Sequence, residues 1–200
     1  TFTQTAGTGT TTIGGALITT TNTAVSITGT NLAVNAAIST TNGTAPVVTN
    51  LSGTAVIAAA GDINATGAVT FDADGGITTA GDVTTTADAI TFQDATTLAG
   101  AVALVSAGTD ATTGIITFGG TLNGAAALTL TAAAANINFD GTVGNAAALT
   151  TVTINSAGTI DTDNTFVSAA QTWTAATEIQ TDALVTSTGT VNWTAADIDV

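Results

Sequence analysis

Ile115-Ile-Thr-Phe118-Gly-Gly-Thr-Leu122 is echoed twenty-one residues later by Asn136-Ile-Asn-Phe139-Asp-Gly-Thr-Val143. Each stretch alternates apolar and polar residues up to a Phe, turns, and reaches another apolar residue. Ala68-Val-Thr-Phe71 and Ala89-Ile-Thr-Phe92 repeat the first half at the same spacing of twenty-one. Near the C-terminus, Trp173-Thr-Ala-Ala-Thr-Glu-Ile179 is followed by Trp193-Thr-Ala-Ala-Asp-Ile198, with the tryptophans twenty apart. A fixed period of this length marks a stacked, coil-by-coil architecture.

The units join into three ladders. One runs through Val83, Leu104, Leu130, Ile154, Trp173 and Trp193, with Ile18, Ile38 and Ile63 as candidates for its start. A second runs Ile27, Val48, Phe71, Phe92, Phe118, Phe139, Ile160, Ile179, Ile198. The third runs Leu32, Leu51, Ile77, Leu98, Leu122, Val143, Phe166, Leu184. Between the ladders the apolar residues alternate with Thr, as in Leu128-Thr-Leu-Thr131, which is the period of a half-buried strand. Gly, Asn and Asp fall between strands, where corners need positive φ. Pro46 opens a strand, where a missing donor costs least. The expectation is an all-β fold: a right-handed parallel β-helix, or β-solenoid, of about nine coils of roughly 20 residues with three short strands each. Residues 1–200 read as a single solenoid segment of a longer chain or fibre. The step lengthens between Phe92 and Phe118, which points to a projecting loop at Thr109 to Thr113.

Composition narrows the function. The chain holds 14 acids, no Lys, Arg or His, and a net charge of −14. Nucleic-acid binding needs cations to displace counterions from phosphates, so that class is excluded. A basic helix lying on a membrane surface is excluded too. No apolar run approaches the roughly 18 residues of a membrane span. Trypsin-like proteases find no site, and with neither Cys nor Met the oxidation-prone side chains are gone. Low charge also suits stacked coils, because like charges in adjacent coils repel.

The inventory of side chains argues against catalysis, since only Asp, Glu178, Ser and Thr remain. A polysaccharide-active enzyme built on paired carboxylates is the rival in that class. Asp72-Ala-Asp74-Gly-Gly and Asp161-Thr-Asp163-Asn164 set oxygen ligands at alternate positions, as calcium loops do. The plainer reading of the same residues is corner turns. No cofactor is required on either reading. Asp62 and Asp82, both in Ala-Gly-Asp contexts twenty apart, stack on adjacent coils if the register is regular. Trp173 and Trp193 form either a sugar-stacking platform or an inward column that widens the core. The Thr-x-Thr triplets at 129–131, 151–153 and 172–174 suggest a flat Thr array of the ice-binding kind, or ordinary strand surface. Asn42, Asn50 and Asn64 each open an Asn-x-Ser/Thr triplet.

The Ala-Val-Thr-Phe and Ile-Asn-Phe-Asp-Gly-Thr-Val strands, set in a Thr/Ala/Gly/Asn background, resemble the repeat region of filamentous haemagglutinin-like adhesins. They are also similar to the β-helical passengers of autotransporters and to other giant bacterial surface proteins with β-strand repeats. The resemblance implies a structural, extracellular or cell-surface rod that serves adhesion. Its partners would be neighbouring coils or subunits end to end, or a cell-surface glycan or matrix. The alternative is a module that binds glycan or ice through the Trp/Thr face.

Overall fold

The computed structural model describes residues 1–156 and 158–200. Among them every regular element is a strand, mostly three to five residues long, and none is a helix. All strand pairs are parallel, and each strand pairs with its counterparts in the coils before and after it. Three sheets run along the rod. The first has ten strands, from Phe2–Gln4 to Asp197–Asp199. The second has six, from Thr10–Ile13 to Leu122–Asn123. The third, of ten strands, follows a nine-strand path from Leu17–Thr19 to Val185–Ser187, with Val191–Thr194 added beside Phe166–Thr174. The expected β-solenoid of about nine coils is therefore the fold, with one strand of each sheet per coil over most of its length. At about 4.8 Å per coil the rod is roughly 45 Å long.

Strand alternation buries every second residue, and the buried residues of successive coils stack. The column Val83, Leu104, Leu130, Ile154, Trp173, Trp193 is present as read from sequence. It extends back through Ile63 and Ile38 to Leu17. Ile18 is not its start: it lies one residue out of phase and is 63% exposed.

The second ladder resolves into two columns. Ile27, Thr49, Phe71, Phe92, Phe118 and Phe139 belong near one edge of the first sheet. Val25, Val47, Val69, Ile90, Ile116, Ile137, Ile160, Ile179 and Ile198 stack two residues upstream. Val48 points outward, and the place after Phe139 falls to Thr162 and Thr181 rather than Ile160 and Ile179. The step along the Val/Ile column ranges from 19 residues (Ile179 to Ile198) to 26 (Ile90 to Ile116). The long step holds the projecting loop, whose Asp110 carboxylate accepts the N–H groups of Thr112 and Thr113.

In the third ladder Ala55 replaces Leu51, Thr96 replaces Leu98, and Val185 replaces Leu184. Past Leu122 the second sheet dwindles to the single bridges Leu122 to Val143 and Val143 to Phe166. There the third sheet lengthens instead, through Leu149–Ser156 and the nine-residue Phe166–Thr174. Phe166 thereby enters the core from the opposite wall. Its ring meets Phe139 edge-on at 5.2 Å and Trp173 at 4.8 Å, filling the space that Thr162 leaves. Upstream, Phe92 stacks on Phe118 at 5.2 Å and Phe118 on Phe139 at 5.5 Å.

Candidate functional site

The corners are built by side chains that reach one coil along the rod. A parallel ladder leaves corner N–H groups without a strand partner, and a buried one is costly. Asn22 and Asn31 accept the N–H groups of Thr44 and Thr54. Asn123 accepts from Ala146, and Asn136 from Thr159. Asp62 and Asp82 do stack: Asp62 Oδ1 accepts the Asp82 N–H at 2.9 Å, and Asp82 Oδ1 accepts the Ala103 N–H at 2.8 Å. The hydrogen bonds offset the repulsion between these two carboxylates.

Asp72 and Asp74 flank the inward Ala73 at the edge of the first sheet. Asp94, one coil on, accepts the Ala73 N–H at 2.7 Å, so three carboxylates crowd this corner. Partial burial, then Asp94 and Asp74, raise the Asp72 carboxyl above its ordinary value.

Asp161 and Asp163 lie on the outward side of the first sheet near its C-terminal end. Asp161 stacks between Asn138 and Gln180, and Glu178 stacks on Asp197. The N–H groups of Asp140, Asp163 and Asp182 bond to Phe118, Phe139 and Thr162 of the preceding coils, so these three acids form a further column. Asp161 is raised by burial first, then by Asp163, Asp182, Asp140 and Glu178. Asp140 is raised by burial and by Asp163. Asp161 Oδ1 is buried and has no hydrogen-bond partner. Among the described residues no three acidic side chains converge tightly enough to form a metal-ligand set. The acids are instead spread along columns at the coil spacing.

The tryptophans face inward. Trp173 is fully buried and Trp193 stacks on it at 4.8 Å, 10° from parallel, so Trp173 cannot serve as an exposed sugar platform. Trp193 Nε1 donates to Gln171 Oε1 of the coil below at 3.1 Å. Trp173 Nε1 lacks an equivalent acceptor, because Val152 stands beneath Gln171 in that column.

The outward side of the third sheet is a charge-free field. Thr129, Thr153, Thr172 and Asn192 form one column, and Thr131, Asn155, Thr174 and Thr194 the next. The sequence triplets are out of phase by one pair: Thr151 stacks between Ala127 and Ala170, and Thr131 meets Asn155. Where these strands turn toward the first sheet, Thr131, Asn155, Ser156 and Thr174 line an open groove of about 290 Å³. A second groove of about 300 Å³ lies on the same corner beside Thr66 and Thr86.

Sequence reading missed the corner Asn ladder, although Asn22, Asn31, Asn123 and Asn136 sit at turns. Their partners lie a whole coil away, so no local pattern announces them. Comparison with protein families, with curated proteins and with solved structures gave no match.

Proposed function

We propose that this chain is a structural rod, a segment of an extracellular fibre or adhesin that holds a surface at a fixed distance. The observation behind the reading is the unbroken stack of coils around one set of core columns, from Phe2 to Ile198. Such a stack resists bending because each coil is bonded along its length to the next. The lack of Lys and Arg and the neutral Thr surface suit exposure to proteases outside the cell. The likeness to filamentous haemagglutinin-type repeats supports the same setting. On this reading the chain is not an enzyme and needs no cofactor. Electron microscopy should show rods, and extended trypsin treatment should leave them whole; compact particles would sink the proposal.

The Thr/Asn field on the third sheet favours a second reading, a binding face for glycan or ice. Replacing Thr153 and Thr172 with Val should then abolish glycan retention or thermal hysteresis. Unchanged binding in that variant would remove this face from consideration. Calcium at the acidic columns is a separate proposal, supported by the unpaired Asp161 Oδ1 and its four acidic neighbours.

A further inference from the structure

Two Asn-Gly pairs occur in the chain, and the fold treats them oppositely. In such a pair the main-chain nitrogen of Gly can reach the preceding side-chain carbonyl, because no Cβ stands in the way. Asn123-Gly124 is locked between coils. Asn123 Oδ1 accepts the N–H groups of Ala146 at 2.8 Å and Ala147 at 3.3 Å. The Gly124 N–H donates to the Ala147 carbonyl at 3.1 Å. Gly124 is also buried, so close to Leu98 that a Cβ would strike its backbone.

Asn42-Gly43 has none of these restraints. Both residues are exposed at a corner, with positive φ of 67° and 71°. Other side chains stitch that corner to its neighbours. Asn22 Oδ1 takes the Thr44 N–H at 3.1 Å, and Thr40 Oγ1 takes the Thr66 N–H at 3.0 Å. Those two bonds occupy the N–H groups that the Asn42 amide could otherwise hold. Among the described residues neither that amide nor the Gly43 N–H has a hydrogen-bond partner. The nitrogen and the carbonyl it can attack are thus neighbours in the chain, solvated and unlocked.

We propose that Asn42 is a self-modifying site, which converts with water alone to aspartate and isoaspartate. The Gly43 nitrogen gives its proton to solvent base and attacks Asn42 Cγ, forming a C–N bond. The Cγ–Nδ2 bond breaks, and Nδ2 takes a proton from solvent and leaves as ammonia. Water then opens the five-membered imide at either carbonyl, with no change of oxidation state. Ring closure between neighbouring residues has the entropic advantage of an intramolecular reaction. The product places a negative charge in the stretch before Asp62, which holds no acid. In the isoaspartate form the main chain gains a methylene. The Asn42 main-chain carbonyl, which accepts the Thr66 hydroxyl at 3.4 Å, then becomes a free carboxylate. The corner no longer matches the coils on either side, so the age of the chain is recorded in its stacking.

An endoprotease that cuts before Asp releases Asn42 on the peptide ending at Gly61, and Asn123 on the peptide from Asp110 to Phe139. The folded chain is held at mildly alkaline pH, and both peptides are followed by mass spectrometry with fragmentation. The first should gain the mass of amide-to-acid conversion at position 42, faster as pH rises. Its aspartate fraction should also show as a new cut after Thr41. Asn123 should convert at least about tenfold more slowly, because its side-chain and Gly124 hydrogen bonds must break first. In urea the two rates should converge, since the locks on Asn123 are then gone. Asn42→Gln, shown by circular dichroism to be folded, should leave the first peptide unchanged. No gain at position 42, equal rates in the folded chain, a rate gap that persists in urea, or a gain that survives in Asn42→Gln would each overturn the proposal.

Discussion

Phe118→Ala tests whether the aromatic column holds the rod together. The ring is 2% exposed and is covered on both faces, by Phe92 at 5.2 Å and Phe139 at 5.5 Å. Truncating a buried Phe costs about 3–5 kcal/mol. Two ring contacts are lost at once, and parallel coils cannot close independently over the void, so the upper half of that range is expected, about 4–5 kcal/mol. Domains are stabilised by only about 5–15 kcal/mol in total, so the loss is severe. Because each coil touches only its neighbours, the damage is local and the rod splits into two weakly coupled halves. Urea unfolding should be followed by circular dichroism, which sees all coils, and by Trp fluorescence, which sees only the C-terminal ones. The two probes coincide in the unaltered protein and separate in the variant. Thr117→Ala, on the outward side of the same strand, should move the midpoint by no more than about 0.5 kcal/mol. If the two substitutions shift the midpoint equally, the stacked column is not the core.

Gly144 has φ of 70°, and a Cβ there would run into the Val167 carbonyl of the next coil. Gly144→Ala should cost about 1–3 kcal/mol, read as a lowered midpoint in thermal unfolding. At the corner, Asp82→Ala removes the acceptor for the Ala103 N–H and should cost about 1 kcal/mol. Asp82→Asn keeps an acceptor and removes repulsion from Asp62, worth at most about 0.8 kcal/mol at ~5 Å in water, so it should stabilise slightly in the same assay. Asp72, Asp140 and Asp161 have carboxyls raised above the ordinary value of 3.8, so the folded chain binds their protons more tightly than the unfolded one. The stability they contribute is present below that value and is lost as pH rises through the raised ones. Asp110 is lowered by its bonds to Thr112 and Thr113 and acts oppositely, but it is exposed on the loop. Melting temperature should therefore rise as pH is lowered from neutral toward the ordinary carboxyl value of 3.8; a steady fall over that interval would contradict the acidic-column picture. Calcium should raise the melting temperature, and Asp161→Asn should reduce that rise; no response to calcium or chelator would dismiss the metal proposal.

The two-residue alternation and the spacing of about twenty determined by themselves that this chain coils into parallel strands. Phe71, Phe92, Phe118 and Phe139 announced their column because identical residues recur in an identical local setting. The Trp column was legible for the same reason. The asymmetry of charge, with no acid before Asp62, needed only counting. Sequence could not decide which apolar residue stacks on which once the residues differ. A slip of one residue turns a strand inside out and is forbidden by burial, but a slip of two keeps the same face inward. Ile160 in place of Thr162, Leu98 in place of Thr96, and the Thr triplets out of phase by a pair are all slips of that kind. Only contact with the neighbouring coil selects among them. Phe166 crossing from the opposite wall to replace a missing ring, and Asn123 reaching a whole coil to a backbone N–H, belong to the same category. Strand period fixes which side is buried; the stacking of one coil on the next fixes everything that depends on register.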